Sequence, residues 1–289
     1  MAAMPPVVAE RTDDRIDRVL RWGLFATVLI AMAVLAAGTL AVYQGAPPIP
    51  DRVVSATGAT LYTRADIVAG KAVFHRTDLM DFGSLYGNGA YFGPDWTADY
   101  LHREATKMSD IFARMGGPYA FLPVAEQQQV TAQVTAELKA NTLAAGVVTY
   151  SGIRAGVFAV IRDEYRNLFL NGDRALGLQP NTVRTATEAD QLTAFLSWAA
   201  WTTVTNRPGE TASYTNNWPY EPLVGNTATG AMWTWTWISL AALAIGAVVL
   251  VLFYRRFFAG AHLRVPATEP AAAEAATAAP DPAAEATPS

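Results

Sequence analysis

Two long, uninterrupted apolar runs stand apart from the rest of the chain. Residues 22–43 carry no charge and would form a helix about 33 Å long at 1.5 Å per residue. Residues 231–254 are also uncharged and would form one about 36 Å long. Either length suffices to cross the hydrocarbon core of a bilayer, so both segments are predicted to be transmembrane helices. Trp233, Trp235 and Trp237 begin the second run, and indole rings favour the membrane–water interface.

Basic residues lie on the outer side of each apolar run. Arginines occupy positions 11, 15, 18 and 21 before the first run, and Arg255 and Arg256 follow the second. Because basic flanks stay on the cytoplasmic side, both termini are predicted to be cytoplasmic and the middle of the chain extracytoplasmic, in the cell membrane. The alternative for the first run is a cleaved signal peptide. Retention as an anchor is favoured, because the run exceeds the usual core of about 7–15 residues and its leader also carries acids.

These boundaries divide the chain into five segments. They are a cytoplasmic leader (1–21), a first transmembrane helix (22–43), an extracytoplasmic domain (44–230), a second transmembrane helix (231–254), and a cytoplasmic basic turn with a tail (255–289). The tail is rich in Ala and Pro and has few large apolar residues that could offset the entropy of ordering it. It is therefore predicted to be disordered.

The middle segment has mainly helical periodicity. A capping box at Thr63 and Asp66 predicts a helix that ends near Arg76, and further helices are predicted at 96–115, 124–143, 157–170 and 188–205. The glycine-bounded GVVTYSGIRAG at 146–156 predicts a strand or hairpin, and the Pro/Gly/Asn-rich residues 206–229 predict a loop. The domain is thus expected to be mainly α, with at most a small sheet.

The spacing of apolar residues also predicts which side chains face the core. In the helix that ends near Arg76 these are Ile67, Val68, Ala72 and Val73. In the helix at 96–115 they are Trp96, Tyr100, Leu101, Ile111, Phe112 and Met115. In the helix at 124–143 they are Val130, Val134 and Leu138.

Composition removes several classes of function. The net charge of −4 offers no basic surface for nucleic acid. The chain has no cysteine, which excludes disulfides, thiolate metal sites, cysteine nucleophiles and covalently attached c-type haem. Its three histidines, His75, His102 and His262, lie outside both apolar runs and cannot ligate haem or copper within the membrane. His75 and His102 are predicted to be late in their helices, where the helix dipole favours a cation.

Glycines, aromatics and acids are concentrated in residues 78–102. The four acids of this segment, Asp78, Asp81, Asp95 and Asp99, are of the type that binds hard cations, but their spacing matches no EF-hand. Asp95 is predicted to be a helix cap, and the other three are predicted to be solvated turn residues. Glycines allow another kind of site, because main-chain oxygens become accessible where side chains are missing. The loop 86–91 could present such oxygens to an ion that is shared with a partner.

Several motifs of the chain resemble the N-terminal region of quinol-dependent nitric oxide reductases. The motifs are KAVF (71–74), LMDFGS (79–84), GNGAYFGPDWTA (87–98), NNWPY (216–220) and GNT (225–227), followed by a tryptophan-rich helix. The resemblance implies an extracytoplasmic, cytochrome c-like domain that has lost its haem, flanked by two transmembrane helices. The missing C-x-x-C-H motif agrees with this expectation. Aromatic and aliphatic side chains would then occupy the volume of the porphyrin.

The resemblance also implies a partner. Members of the family continue into a twelve-helix catalytic portion, in which histidines hold two haems and a non-haem iron and quinol electrons reduce NO to N2O. This sequence ends before that portion, so the expected role is a non-catalytic membrane subunit, or N-terminal fragment, with no catalytic residue and no cofactor of its own. Haem b and non-haem iron are expected only in the partner. Either the catalytic portion is a separate polypeptide, or the reading frame is truncated and without function.

Two other classes of protein compete with this interpretation. An electron-carrier small subunit would need cysteines to retain its haem covalently. A two-helix sensor would need a cytoplasmic output module, which the Ala/Pro-rich tail does not supply.

One metal site is implied by the resemblance alone. A G-x-Y element of the family bridges the haem-linking calcium to this domain, and it matches Gly89-Ala90-Tyr91. Gly89 and Tyr91 would contribute main-chain oxygens, while a glutamate and haem propionates of the catalytic subunit would supply other ligands. Many relatives have His where this chain has Asn88, which leaves the role of that side chain open.

Overall fold

The computed structural model of the chain describes residues 10–113 and 117–257. The described residues fall into two compact units, which meet in sequence between Thr229 and Gly230. In chain order the elements are α1 (Glu10–Gln44), β1 (Arg52–Ser55), β2 (Thr60–Thr63), α2 (Arg64–Arg76), α3 (Leu79–Phe82), β3 (Ser84–Leu85), β4 (Asn88–Gly89), α4 (Trp96–Ala113), α5 (Val124–Lys139), β5 (Val147–Tyr150), α6 (Gly152–Asn171), α7 (Ala186–Val204) and α8 (Gly230–Phe257).

The first and last helices contain the two predicted membrane segments. Asp17–Gln44 of α1 and Gly230–Arg256 of α8 are each long and apolar enough to cross a membrane. Their large apolar side chains are exposed, as expected of residues that would face lipid. The prediction of two candidate membrane-spanning helices is confirmed. The sidedness of the termini and the five segment boundaries stay predictions, and the predicted disordered tail beyond Phe257 lies outside the described residues.

Side-chain caps begin the helices of the domain where the sequence predicts them. Thr63 Oγ1 accepts a hydrogen bond from the Asp66 amide (3.3 Å), and Asp66 Oδ2 accepts one from the Thr63 amide (2.9 Å), which completes the predicted capping box of α2. Thr185 caps α7 in a similar way, by accepting from the Glu188 amide at 3.2 Å. Because these caps satisfy amides that have no partner inside the helix, they set where each helix starts.

A three-stranded sheet has the order β2-β1-β5. Strand β1 pairs antiparallel with β2 and parallel with β5. The strand predicted within 146–156 is therefore confirmed as β5, but a hairpin there is wrong. Ser151 ends the strand and accepts a hydrogen bond from the Arg154 amide (3.1 Å), which starts α6 instead of a turn.

Helix α7 is buried along most of its length, and α2, α4 and α6 pack against it. The predicted inner face of α2 is partly wrong. Val68 and Ala72 are exposed, whereas Gly70 and Phe74 are buried beside the correctly predicted Ile67 and Val73. The reason is a close helix crossing at Gly70, where an added Cβ would lie 1.9 Å from the main-chain oxygen of Gln191.

The predicted buried face of α5 is confirmed, and that of α4 is partly wrong. Val130, Val134 and Leu138 of α5 are all buried, as expected. On α4, Trp96, Tyr100 and Leu101 are buried and Phe112 packs partly buried against the core. Ile111 is exposed, because the buried stripe of α4 runs through Ala105, Met108 and Ser109 at that end. Met115 lies outside the described residues.

The core contains an ion pair that the sequence analysis missed. Arg154 Nε and Nη2 lie 2.8 and 3.3 Å from the two carboxylate oxygens of Glu104, and the side chains are 4% and 1% exposed. The guanidinium carbon also lies 4.1 Å from the centre of the Tyr150 ring. Burial is the largest single influence and lowers the pKa of Arg154, but the charge of Glu104, its hydrogen bonds and the neighbouring Tyr150 and Tyr62 together raise the pKa above its ordinary value, so Arg154 stays charged.

Buried tyrosines surround this pair. Tyr62 Oη lies 3.1 Å from both Tyr150 Oη and Ser197 Oγ, which links the sheet to α7. Burial is the main cause that raises the pKa of four side chains, here called the core tyrosines: Tyr62, Tyr100, Tyr150 and Tyr165. They are therefore neutral hydroxyls at physiological pH.

Candidate functional site

The segment 83–95, here called the glycine-rich loop, folds as a short hairpin followed by a return to α4. Strands β3 and β4 pair Ser84 with Gly89 and Leu85 with Asn88. The two residues between the strands, Tyr86 and Gly87, both have positive φ angles of 53° and 75°. That combination is typical of the tight turns that match the twist of a two-stranded hairpin.

Asp95 holds the loop closed. Its Oδ2 accepts hydrogen bonds from the Ser84 hydroxyl and the Gly87 amide, both at 2.7 Å. Its Oδ1 accepts from the Ala98 amide at 3.0 Å and from the Thr97 hydroxyl. The prediction that Asp95 caps a helix is confirmed, and the same carboxylate also fastens the hairpin. Since both of its oxygens are engaged, Asp95 is a structural residue of the loop.

The loop is packed so closely that it requires glycine at three positions, one of them Gly93, where an added Cβ would lie 2.5 Å from the Phe82 oxygen. An added Cβ on Gly83 would lie 2.3 Å from the Pro94 oxygen, and one on Gly89 would lie 2.4 Å from the Gly83 oxygen. Gly89 also has a φ angle of 138°, which L side chains rarely adopt. Larger residues here would displace main chain.

The two residues predicted to hold calcium lie at the exposed edge of this hairpin. Gly89 ends β4 and is exposed, and the next residue, Ala90, donates its amide hydrogen to the main-chain oxygens of Met80 (2.8 Å) and Gly83 (3.1 Å). Tyr91 follows with 89% of its surface exposed, and Phe92 with 91%. These two aromatics therefore do not fill the interior, unlike the buried aromatic residues of α4.

The available ligands of this edge are main-chain oxygens. The Tyr91 oxygen accepts no hydrogen bond from any residue that the structure describes. Within residues 10–113 and 117–257, no group of three or more His, Cys, Asp or Glu side chains could hold a metal. Calcium takes about 6–8 oxygen ligands. Two exposed carbonyls, one at the end of β4 and one two residues beyond it, suit part of such a set, and a partner would have to supply the rest.

The remaining predicted aspartates do not converge on this edge. Asp99 accepts hydrogen bonds from Arg103 Nε (2.8 Å) and from the Tyr165 hydroxyl (2.7 Å). Asp78 precedes α3 with a φ angle of 51°, and Asp81 lies within it; both are exposed. Asp78 fits its prediction as a turn residue. The prediction of turn residues is wrong for the other two, because Asp81 lies within α3 and Asp99 lies within α4.

The histidines are also separate from the loop. His75 lies in the last turn of α2, as predicted. The prediction for His102 is wrong, since it lies in the second turn of α4 with its Nδ1 2.8 Å from Glu221 Oε2. Glu221 belongs to the segment 206–229 and is 119 residues away, a distance that helix periodicity does not reveal. His262 lies outside the described residues.

Two contacts attach the glycine-rich loop to parts of the domain that are distant in sequence, and the sequence analysis missed both. The Tyr86 hydroxyl lies 2.9 Å from Thr202 Oγ1 and 3.4 Å from the Ala199 oxygen, both on α7. Gly87 lies against the Trp218 ring, where an added Cβ would be 3.2 Å from the nearest ring carbon. The only signal in the sequence was a tyrosine at a turn position where Asn or Gly is usual.

Comparison with known proteins places this domain in a family. Residues 50–220 match the family model of the cytochrome c-like domain of nitric oxide reductase NorB, and the match includes the whole glycine-rich loop. No curated protein matches the chain. The matched residues lie between the two candidate membrane-spanning helices, so the predicted fold class is confirmed. Because the match covers more than half of the 289 residues, this chain belongs to the NorB family of nitric oxide reductase proteins with a cytochrome c-like domain.

Proposed function

We propose that this chain is the non-catalytic, membrane-anchored subunit or N-terminal portion of a quinol-type nitric oxide reductase. It would support the reduction of NO to N2O by a separate, haem-bearing catalytic portion. The observation that carries the proposal is the family match at residues 50–220 between two candidate membrane-spanning helices. The lack of cysteine and the position of all three histidines outside these helices argue that haem b and non-haem iron belong to the partner.

The domain would cover the extracytoplasmic face of the catalytic helices and help to exclude water near the quinol. Gly89 and Tyr91 would complete a shared calcium site with their main-chain oxygens. The exposure of both residues and the free Tyr91 oxygen support this role. When bound, calcium would supply a positive charge that links oxygen ligands of the two partners. The Asp95 hydrogen bonds would keep the two carbonyls in place before the partner arrives.

Co-purification from native membranes tests the proposal. A tagged chain should bring with it a histidine-rich membrane protein that carries b-type haem, and the mixture should reduce NO. If the tagged chain repeatedly came out alone and colourless from membranes with active reductase, the proposal would fail. A haem stain on a denaturing gel tests the electron-carrier alternative, which requires covalently bound haem on this chain.

The reading frame next to the gene tests how the catalytic portion is encoded. A neighbouring frame for a histidine-rich, twelve-helix protein supports a two-chain enzyme. A frame that continues the same sequence after a stop codon or frameshift would support the truncated alternative.

A further inference from the structure

A short stretch of α7, residues 198–203, collects hydrogen bonds from three distant parts of the domain. The indole N–H of Trp198 donates to the Pro48 oxygen at 3.0 Å. The side-chain amide of Asn226 donates to the Thr203 oxygen at 2.9 Å. Pro48 lies four residues after the end of α1 at Gln44, and Asn226 lies four residues before α8 begins. The chain next to each candidate membrane helix is thus bonded to the same stretch of α7.

The third part bonded to this stretch is the glycine-rich loop, through Tyr86. The Thr202 hydroxyl donates its hydrogen to the Ala199 oxygen at 2.7 Å, which leaves Thr202 Oγ1 as the acceptor for Tyr86. Thr202 is fully buried, so the acceptor end of this contact is shielded from water. Burial raises the pKa of Tyr86 to about 12, and the Tyr86 hydroxyl therefore keeps its hydrogen at physiological pH.

The hairpin connects Tyr86 to the candidate calcium residues. Tyr86 occupies the tip, and the pairs Leu85–Asn88 and Ser84–Gly89 run back from it along the two strands. The Ala90 amide is held by the main-chain oxygens of the preceding segment, whereas Tyr91 is almost fully exposed. The strands between the tip and residues 89–91 are only two residues long. If the tip of the hairpin tilts relative to α7, residues 89–91 therefore move with it.

We propose that Tyr86 is a positioning residue, whose hydrogen bond to Thr202 sets where Gly89 and Tyr91 lie relative to α7. The inference rests on the proposed function in one respect, namely that Gly89 and Tyr91 bind a calcium ion together with the catalytic partner. Its physical basis is that calcium ligands must lie within a narrow range of distances, about 2.3–2.6 Å from the ion. Fastening the hairpin to the stretch of α7 that also holds the membrane-adjoining chain would keep the two carbonyls at a fixed place for a membrane partner.

The chain contains a matched control for this contact. Tyr119 Oη lies 2.9 Å from Thr131 Oγ1, so a second Tyr–Thr hydrogen bond of the same length occurs away from the loop. The variants Tyr86→Phe and Thr202→Val remove one hydroxyl each from the loop contact and keep the shape of the side chain. The variant Tyr119→Phe removes the same group from the control contact.

Hydrogen exchange of the full chain in detergent decides the inference without the partner. We expect the Gly87 and Ala90 amides to exchange roughly five- to tenfold faster in Tyr86→Phe and Thr202→Val, which is the factor for loss of one hydrogen bond. In Tyr119→Phe they should exchange at the wild-type rate. Equal exchange at these amides in all four proteins would overturn the inference, whatever the outcome for calcium.

A calcium titration then links position to ligand binding. The tagged chain and its catalytic partner are purified at buffered calcium concentrations, and retention of the partner is measured. The concentration for half-maximal retention should rise several-fold in the two loop variants and stay unchanged in Tyr119→Phe. An equal value in all variants would overturn the inference. If wild-type retention is independent of calcium, the shared calcium site of the proposed function fails, and hydrogen exchange alone decides the role of Tyr86.

Discussion

The buried ion pair of Glu104 and Arg154 offers the sharpest test of how the core is held together. We consider three variants: Glu104→Met, Arg154→Met and the double variant. Methionine is unbranched, flexible and uncharged; its length is similar to that of glutamate and shorter than that of arginine, so each change removes the electrostatic partner and still fills most of the space. The native pair has two hydrogen bonds, of 2.8 and 3.3 Å, and almost no access to water.

Each single variant should lose more unfolding free energy than the double variant does. Each leaves one buried charge without its partner, which costs about 3–5 kcal/mol of unfolding free energy. The double variant removes both charges and both desolvation penalties, and similar replacements elsewhere are often neutral or stabilising. The losses of the two single variants together should therefore exceed that of the double variant by at least about 3 kcal/mol.

The more exposed pair of Arg166 and Asp190 is the matched control. Arg166 Nη2 lies 2.7 Å from both carboxylate oxygens of Asp190, so its geometry is at least as good. Its side chains are 33% and 36% exposed, however, and such pairs contribute about 0–1 kcal/mol. Denaturant unfolding of the full chain in detergent, followed by circular dichroism, measures both cycles. Equal and small coupling energies for the two pairs would refute the reasoning.

Three further predictions concern packing, protonation and topology. Gly70→Ala should lower the unfolding free energy by about 2–3 kcal/mol, because the added Cβ would collide with main chain. The control Gly156→Ala, whose Cβ meets no atom within 4 Å, should be neutral or slightly stabilising in the same denaturant assay. Stability should fall as pH rises above about 10, by up to about 1.4 kcal/mol per pH unit for each core tyrosine, since the folded state keeps protons that the unfolded chain loses; absorbance at alkaline pH should show phenolate appearing with unfolding. Because the protein lacks cysteine, a single Ala56→Cys should react with a membrane-impermeant maleimide on intact cells, whereas Ser289→Cys should react only after lysis; the reverse pattern would contradict the predicted topology.

Local patterns predict the helices better than they predict the contacts between them. The capping box of Thr63 and Asp66 and the thin stripe of Val130, Val134 and Leu138 depend on residues within one helix, and both were predicted correctly. Glu104 shows the limit. It lies between Tyr100 and Met108 on the buried stripe of α4, which is a signal for a buried acid. Its partner Arg154 is 50 residues away in another helix, and no periodicity of α4 indicates it.

In the candidate site, too, contacts between sequence neighbours were predictable and contacts between distant residues were not. The role of Asp95 as a cap was predictable, because its first-turn partners Thr97 and Ala98 are neighbours in sequence. Its additional hydrogen bonds to Ser84 and Gly87 depend on the hairpin folding back, which the glycines permit but do not specify. The exposure of Tyr91 was likewise not predictable, since the same aromatic-rich segment also supplies residues that are fully buried.

The composition of α7 explains why so many contacts meet there. A helix that is buried on nearly all sides must satisfy its polar side chains internally, and its threonines do so by donating to oxygens three or four residues earlier. Thr193 donates to Ala189 at 2.8 Å, Thr202 to Ala199 at 2.7 Å and Thr203 to Ala200 at 2.6 Å. Each threonine oxygen still has lone pairs, so it can accept a hydrogen bond from another element at no further desolvation cost. Tyr86 uses this capacity at Thr202. The same chemistry that makes hydroxyls tolerable inside the core thus provides the acceptor to which the glycine-rich loop is fastened.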